Sequence, residues 1–103
     1  MIAPLQHVVG LADLDDEASA GILHAAKLVA DAVRAVTNCE GVNLVLSDGQ
    51  AAGQDVFHLH MHVKPRWHGD DVRLTWNTAT VPDDDRTTLA NDIRTHLREL
   101  LSK

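Results

Sequence analysis

Three histidines at alternate positions, His58, His60 and His62, are the residues of this chain best suited to chemistry. Side chains two residues apart on a β-strand point to the same face, so a strand here would place the three imidazoles together. A sheet face that bears three polar rings gains little from burial, and the pattern therefore predicts a functional surface. The interleaved residues would form an apolar opposite face: Phe57, Leu59, Met61 and Val63.

Imidazole supports two kinds of chemistry, and this spacing allows both. In the first, the three rings ligate a transition metal, with a further ligand drawn from Asp55, Asp70 or Asp71. In the second, one imidazole acts as a nucleophile or acid–base group on a phosphate while its neighbours bind the phosphate oxygens. The remaining histidines stand alone and are expected to be ordinary surface or core residues: His7, His24, His68 and His96.

The bulk properties of the chain exclude several classes of protein. Its 103 residues suit one domain, 1–103, and no apolar run is long enough for a membrane span. A formal net charge of −6 with scattered basic residues argues against nucleic acid duplex as a partner, although Lys64 and Arg66 can attract a small anion locally. The N-terminus lacks the features of a secretion signal, and Cys39 is the only cysteine. We therefore expect a cytoplasmic protein.

A long helix should precede the histidines in the chain. Apolar residues at helical spacing predict a helix from about Leu14 to Thr37, capped by Asp13 or Asp15. Residues 38–41 should end this helix, with Gly41 able to adopt positive φ. The face toward the rest of the protein is expected to consist of Ile22, Ala25, Ala26, Val29, Val33 and Val36.

The segment after this helix is predicted to form an antiparallel pair of strands. Val42–Leu46 is rich in aliphatic residues, and the turn-forming stretch 47–53 connects it to the histidine strand, which Pro65 should end. Residues 2–9 are predicted to be extended and paired elsewhere in the protein. Alternating apolar residues in Val72–Asn77 predict one further short strand.

A second helix is predicted near the C-terminus of the chain. Val81–Asp85 combines a proline with three carboxylates, which suit the first turn of a helix, and the helix should run to about Leu101. Basic residues follow toward its end, where they interact favourably with the helix dipole. Its apolar stripe is predicted to be Leu89, Ile93, Leu97 and Leu100.

The residues around the histidines resemble the signature of the histidine triad (HIT) superfamily, in which three histidines alternate with apolar residues. The resemblance extends along nearly the whole chain and is closest to the bacterial branches of the family. The central match is Gly53-Gln54-x-Val56-x-His58-x-His60-x-His62-Val63-x-Pro65-Arg66. Flanking matches are Ile2-x-Pro4-x-x-His7, Asn43-Leu44, Ala51-Ala52, Trp67, Gly69-Asp70 and Trp76.

This resemblance implies an α+β fold, with a mostly antiparallel sheet, a long helix before the strand pair and a C-terminal helix. It also implies a homodimer that binds a nucleotide and hydrolyses or transfers its nucleotidyl group, with no cofactor or metal required. His60 would be the nucleophile that attacks the α-phosphorus and forms a covalent nucleotidyl-histidine. His58 would support His60, His62 would contact the phosphate and help protonate the leaving group, and Gln54 would hydrogen-bond near the scissile bridge. Asn43 matches a family asparagine in the preceding strand.

Two features depart from the family pattern. Relatives carry a further N-terminal stretch, with part of the base and ribose pocket and a histidine after Pro-Gly, so we expect this domain to be N-terminally incomplete relative to the family. Asp48 stands where relatives commonly have asparagine, and its charge would repel a nearby phosphate unless it points away. The alternative function is therefore a catalytically weak or inactive nucleotide-binding or dimerisation module of the same fold.

Overall fold

The computed structural model describes all 103 residues, whose contacts form two compact units, Met1–Asp71 and Val72–Lys103. The predicted α+β architecture is confirmed, with two helices and an antiparallel pair of strands. The prediction of one domain over 1–103 stays a prediction. In chain order, the main elements are α1 (Asp16–Thr37), β1 (Gly41–Leu46), β2 (Met61–Arg66) and α2 (Asp83–Leu101), with short 3-10 turns at Leu11–Asp13 and Gln50–Ala52.

Polar side chains define both ends of helix α1. The Asp15 carboxylate accepts a hydrogen bond of 2.7 Å from the Ala18 N–H, which confirms Asp15 as a cap. Asp13 instead accepts a bond of 3.1 Å from the Gly10 N–H in the preceding turn. The helix ends at Asn38, whose φ is 54°, so the left-handed conformation predicted for Gly41 belongs to Asn38. Asparagine tolerates this conformation better than most other side chains.

The inward face of α1 follows the predicted stripe over most of its length. Ile22 and Ala26 are buried, and Ala25, Val29 and Val33 are half-buried. The prediction is wrong for Val36, which is 84% exposed because nothing covers it near the end of the helix. The buried residues Val8, Ile22, Ala26 and Leu59 form the small core of the first unit.

The register of the two strands gives the sheet one polar and one apolar face. Gly41 lies opposite Arg66, Val45 opposite His62 and Leu46 opposite Met61. The apolar face consists of Val42, Leu44, Leu46, Met61, Val63 and Pro65, and the polar face of Asn43, Val45, His62, Lys64 and Arg66. Helix α1 lies against the apolar side, where its residues line a groove together with Val42 and Leu44. The polar face therefore points away from the helix.

The N-terminal segment pairs with the histidine segment, as expected for an extended stretch that needs a partner. Ile2 and Met61 exchange two backbone hydrogen bonds of 2.8 Å each, and the Leu59 N–H donates to the Val8 carbonyl at 2.7 Å. These bonds bring residues 2–9 alongside the triad. They also place Leu59 in the core with no exposed surface, as the alternation predicted.

Three strand predictions are wrong. Pro65 does not end β2, which continues to Arg66, because proline lacks only the N–H and the Arg66 carbonyl still accepts a bond of 2.8 Å from the Glu40 N–H. β2 begins only at Met61, so His58 and His60 precede the regular strand, and Phe57 is 52% exposed instead of facing the core. The bends at residues 56–58 interrupt the alternation that a longer strand would have imposed. Val72–Asn77 forms no strand, because alternation alone is not sufficient without a neighbouring backbone to share hydrogen bonds.

The second unit contains helix α2, whose predicted bounds are confirmed. The helix begins at Asp83 after Pro82, and Arg86 forms an ion pair with Asp83. No residue of the helix is buried, and its apolar stripe remains half exposed, with Leu89 at 61%, Ile93 at 51%, Leu97 at 48% and Leu100 at 51%. Neither α1 nor α2 combines the length and hydropathy that a membrane-spanning helix requires.

Candidate active site

The ring of His60 is fixed by a hydrogen bond to the backbone of its own segment. Nδ1 of His60 lies 2.9 Å from the carbonyl oxygen of His58. Since a carbonyl oxygen only accepts, this bond requires a proton on Nδ1 and leaves the lone pair on Nε2. His60 is half-buried at the position before β2. Of the two neutral tautomers, this bond selects the one whose free nitrogen, Nε2, is suited to nucleophilic attack.

His62 lies next to His60 on the polar face of β2. The two ring centroids are 4.9 Å apart with an interplanar angle of 81°. Partial burial is the main effect that lowers the pKa of His62 from its ordinary value, followed by the positive charge of Lys64, while Asp55 acts in the opposite direction. His62 consequently favours its neutral form in the absence of ligand. A phosphate bound beside it would raise this pKa again, because an anion stabilises imidazolium.

His58 is held against the N-terminal segment. Its Nε2 lies 3.1 Å from the Pro4 carbonyl oxygen, and its ring meets the His7 ring edge to face at a centroid distance of 5.1 Å. The His58 carbonyl accepts the His60 hydrogen bond, and the predicted support of His60 by His58 stays a prediction. The sequence had placed His7 among the ordinary histidines. The backbone bonds of Ile2 to Met61 and of Leu59 to Val8 bring His7 to the triad, and these bonds join segments that are far apart in the sequence.

The buried side chain of Gln54 forms hydrogen bonds with the backbone at three places in the chain. It is 3% exposed, and its Oε1 accepts a bond of 2.8 Å from the Gly49 N–H. Its Nε2 donates to the carbonyl oxygens of Val9 at 2.7 Å and Val56 at 3.3 Å. Both amide hydrogens of the side chain are therefore engaged within the protein. The predicted bond from Gln54 to a substrate stays a prediction and would require one of these partners to be exchanged.

Asn43 belongs to a polar network on the same sheet face as His62. Its Oδ1 accepts a bond of 2.7 Å from Nη1 of Arg66. Arg66 also makes a two-pronged contact with Asp70, at 2.8 Å from Nε and 2.9 Å from Nη2, and this hydrogen bonding raises the pKa of the Arg66 guanidinium. The Asp70 carboxylate thus offsets the charge of Arg66. Lys64, which is exposed on the same face, is the cation better placed to attract an anion.

Asp48, the acidic residue expected to repel a phosphate, is directed at the N-terminal segment. Its Oδ2 accepts a bond of 3.2 Å from the Leu11 N–H. Its Oδ1 lies so near Gly10 that a Cβ added there would approach to 2.7 Å, which only glycine avoids. A hydrogen-bonded carboxylate has part of its charge compensated locally. Asp48 therefore makes a backbone contact with the N-terminal segment.

The metal-binding interpretation finds no third ligand. No group of three or more histidine, cysteine, aspartate or glutamate side chains is arranged to hold a metal ion. Asp70, one of the candidate ligands, is bound by Arg66. His60 and His62 are close neighbours, but a stable transition-metal site normally has three or four protein ligands.

Known proteins are similar to this chain in structure and in sequence. The crystal structure of a HIT family member from Bacillus subtilis superposes with a TM-score of 0.81 at 29% identity, covering 90% of this chain and 68% of that one. A zinc-bound histidine triad family protein from Mycobacterium smegmatis is 34% identical with a TM-score of 0.63, covering 97% of this chain and 68% of that one. AP-4-A phosphorylase of Mycobacterium tuberculosis is 37% identical over 76 residues, which are 73% of this chain and 39% of that enzyme.

The family assignment rests on the region that contains the site. The HIT domain model matches residues 1–69, which include α1, both strands and all three histidines of the triad. The match also includes the N-terminal segment that holds His58 and the buried Gln54. The chain belongs to the HIT family.

Proposed function

We propose that this protein hydrolyses a nucleoside phosphate conjugate, or transfers its nucleotidyl group, through a covalent bond between His60 and the α-phosphorus. The hydrogen bond from His60 Nδ1–H to the His58 carbonyl, at 2.9 Å, carries the proposal. It directs the proton to one ring nitrogen and leaves the other as an unprotonated nucleophile. The similarity to AP-4-A phosphorylase supports a nucleotide as the substrate class.

The first step forms a bond from His60 Nε2 to the α-phosphorus and breaks the bond from phosphorus to the leaving group. The attacking imidazole gains positive charge in this step, and its Nδ1–H bond to the His58 carbonyl stabilises that charge. The leaving group takes up a proton as it departs. His62, with its ring centroid 4.9 Å from that of His60, is the proposed donor of this proton.

The second step regenerates the enzyme. Water attacks the phosphorus of the nucleotidyl-histidine, the phosphorus–nitrogen bond breaks, and His60 returns to its neutral form. His62, having lost its proton in the first step, accepts one from the attacking water. In a transfer reaction, another nucleophile takes the place of water. Every proton and electron pair is accounted for by the two imidazoles, so no step needs a metal or a cofactor.

The other site residues have proposed roles in binding and positioning. Lys64 attracts the phosphate from the same sheet face as His62, and the approaching anion raises the pKa of His62 toward the protonated form that the first step requires. His58 orients His60 through its carbonyl, and Gln54 holds the backbone on which both are mounted. Asn43 lies on the polar face, where it is available to contact the nucleotide.

The experiment combines turnover with detection of the covalent intermediate. The protein is incubated with an adenosine phosphoramidate, release of adenosine monophosphate is followed, and acid-labile adenylylation is located by mass spectrometry after rapid quenching. We expect the adduct on His60 and loss of both signals in His60→Ala. His24→Ala, which changes an exposed histidine of α1, is the matched control and should behave as the wild type.

Three outcomes would contradict the proposal. Turnover that survives in His60→Ala would exclude His60 as the nucleophile. Turnover that a chelator abolishes and zinc restores would favour metal-dependent chemistry. Binding of adenosine monophosphate to the wild type, with no turnover of any nucleotide conjugate, would identify the protein as a nucleotide-binding module.

A further inference from the structure

An ion pair at the end of β2 is connected to Asn43 on the polar face. Arg66 donates from Nε and Nη2 to the two carboxylate oxygens of Asp70, and from Nη1 to Oδ1 of Asn43 at 2.7 Å. Asp70 also accepts a bond of 3.0 Å from the Trp67 N–H, which fixes the carboxylate in the turn after the strand. The side chains of Arg66 and Asp70 are only 23% and 16% exposed, so this pair is not a freely solvated surface contact.

The bond from Arg66 determines which end of the Asn43 amide is available to a ligand. A guanidinium group has donors only, so the Asn43 atom that it contacts is the carbonyl oxygen. The amide nitrogen is the other end, and it makes no hydrogen bond within the protein. Because no fully buried polar side-chain atom lacks a partner, this nitrogen is accessible to solvent. Asn43 therefore presents a hydrogen-bond donor on the polar face.

The strand register places this donor beside the basic groups of the site. Asn43 lies directly opposite Lys64, and His62 is its diagonal neighbour across the pair of strands. Side chains directly opposite each other have Cβ atoms about 4.5–5.5 Å apart, and diagonal neighbours are about 7–8 Å apart. An ammonium, an imidazole and an amide N–H thus lie on one face within reach of one small anion. The ligand chemistry that suits all three is a phosphate oxygen.

We propose that Asn43 donates a hydrogen bond to a phosphate oxygen of the nucleotide, and that Arg66 and Asp70 are positioning residues that orient its amide for this contact. The identity of the ligand rests on the proposed function. A rotated amide would lose the bond to Arg66 and would turn its oxygen toward the phosphate, where two acceptors repel. Asp70 prevents this indirectly, because it holds the guanidinium that holds Asn43.

This positioning role and a purely electrostatic role predict opposite effects of Asp70→Asn. Removal of a carboxylate makes the polar face more positive, which by itself strengthens phosphate binding. Loss of the two-pronged contact instead frees Arg66 and the Asn43 amide. We expect the Kd of adenosine monophosphate, measured by calorimetry, to rise about threefold in Asp70→Asn. Asp71→Asn is the matched control, since it removes the same charge from the next residue, which is exposed. Binding to Asp70→Asn that is as tight as binding to Asp71→Asn would overturn the proposal.

Arg66→Lys tests the same role without a change in net charge. A lysine ammonium lacks the planar fork that binds Asp70 and Asn43 together. The Kd of adenosine monophosphate should therefore rise about threefold, although the charge of the site is retained. Circular dichroism and urea titration verify that the variant is folded. An unchanged Kd in folded Arg66→Lys would contradict the proposal.

A double-mutant cycle distinguishes positioning from a general structural role. Asn43→Ala removes the donor and should weaken the binding of both adenosine monophosphate and inorganic phosphate about tenfold, since a hydrogen bond to a charged group is lost. With no amide left to orient, Asp70→Asn should no longer weaken binding in the Asn43→Ala background. The same weakening with and without Asn43 would overturn the proposal, and so would unchanged binding of inorganic phosphate to Asn43→Ala.

These measurements separate this proposal from the proposed function, because they record equilibrium binding and not turnover. A wild-type protein that binds adenosine monophosphate and shows the predicted coupling, but turns over no nucleotide conjugate, would refute the catalytic role of His60 alone. Turnover through a covalent His60 adduct, combined with no coupling between Asn43 and Asp70, would refute the positioning role alone. A wild type that binds neither ligand would overturn both.

Discussion

His60 and His62 are neighbours in space, yet the protein positions them by different means. His60 lies in an irregular segment, where a hydrogen bond from its ring to the His58 carbonyl sets its orientation and its protonated nitrogen. His62 lies in a regular strand, where cross-strand register opposite Val45 sets its direction and neighbouring charges set its pKa. A nucleophile needs one defined lone pair, whereas an acid–base group needs an adjustable proton. The two kinds of support match the roles that we propose for His60 and His62.

The largest expected effect comes from removing each ring in turn. His60→Ala should eliminate both the covalent adduct and turnover, because it removes the proposed nucleophile and its Nε2 lone pair. His62→Ala should still form the adduct but more slowly, since loss of general acid–base assistance lowers rates by about 10²–10⁴-fold. Single-turnover kinetics with an adenosine phosphoramidate measure both effects.

Activated substrates sharpen this contrast. A leaving group that needs no proton, such as a nitrophenolate ester of adenosine monophosphate, should restore much of the rate of His62→Ala and none of the rate of His60→Ala. An equal response of the two variants would show that the two histidines do not have the separate roles assigned to them.

The second-largest effect is expected from Gln54, whose hydrogen bonds hold the irregular segment before β2. Gln54→Leu leaves the partly buried Gly49 N–H and the Val9 carbonyl without their partner, and the loss of such hydrogen bonds costs about 1 kcal/mol each. We expect the free energy of unfolding to fall by a similar amount in urea titrations. Turnover should fall as well, because the backbone before His58 loses its tie to Val56.

Gln50→Leu is the matched control for this prediction, since Gln50 is an exposed glutamine in the same loop. It should change the free energy of unfolding by less than about 0.5 kcal/mol. Equal destabilisation by the two substitutions would mean that the hydrogen bonds of Gln54 do not hold the segment.

The pKa of His62, the histidine within β2, should respond to a change in the charge of its neighbours. The Lys64 ammonium contributes to the lowered pKa of His62, so Lys64→Gln should raise that pKa toward 6.5, as measured by an NMR titration of the imidazole. A lowered pKa in the folded state means that the unfolded chain binds a proton more readily. His62 therefore lowers the free energy of unfolding as the pH falls below about 6.5. Lys64→Gln should make this decrease smaller.

Lys27→Gln on α1 provides a control with the same change in net charge. It should leave the His62 titration where it is in the wild type. A shift of the same size in both variants would show that overall charge, and not the position of Lys64 on the polar face, determines the pKa of His62.

The sequence predicted well the features that depend on local patterns. Apolar spacing and end signals located α1 and α2, and the aliphatic run of β1 located the strand pair. The late start of β2 was not predictable in this way. The late start of β2 accompanies hydrogen bonds between distant segments. These bonds join Leu59 to Val8, Met61 to Ile2 and Gln54 to Val9. Alternation in 72–77 misled for the related reason that a strand exists only where another backbone is available to pair with it.

The position of His7 beside the triad also depends on contacts between distant segments. Substitution of His7 gives the smallest expected effect. Its ring packs on His58 but is exposed to solvent, so the contact should contribute less than the ~0.5–1.5 kcal/mol typical of buried aromatic pairs. His7→Phe keeps a ring there and should preserve both turnover and its pH profile, whereas His7→Ala should lower kcat modestly through a looser His58. Altered pH dependence in His7→Phe would mean that His7 exchanges protons with the triad. In that case, support of the irregular segment would include a titrating group, and the division between a fixed His60 and an adjustable His62 would no longer hold.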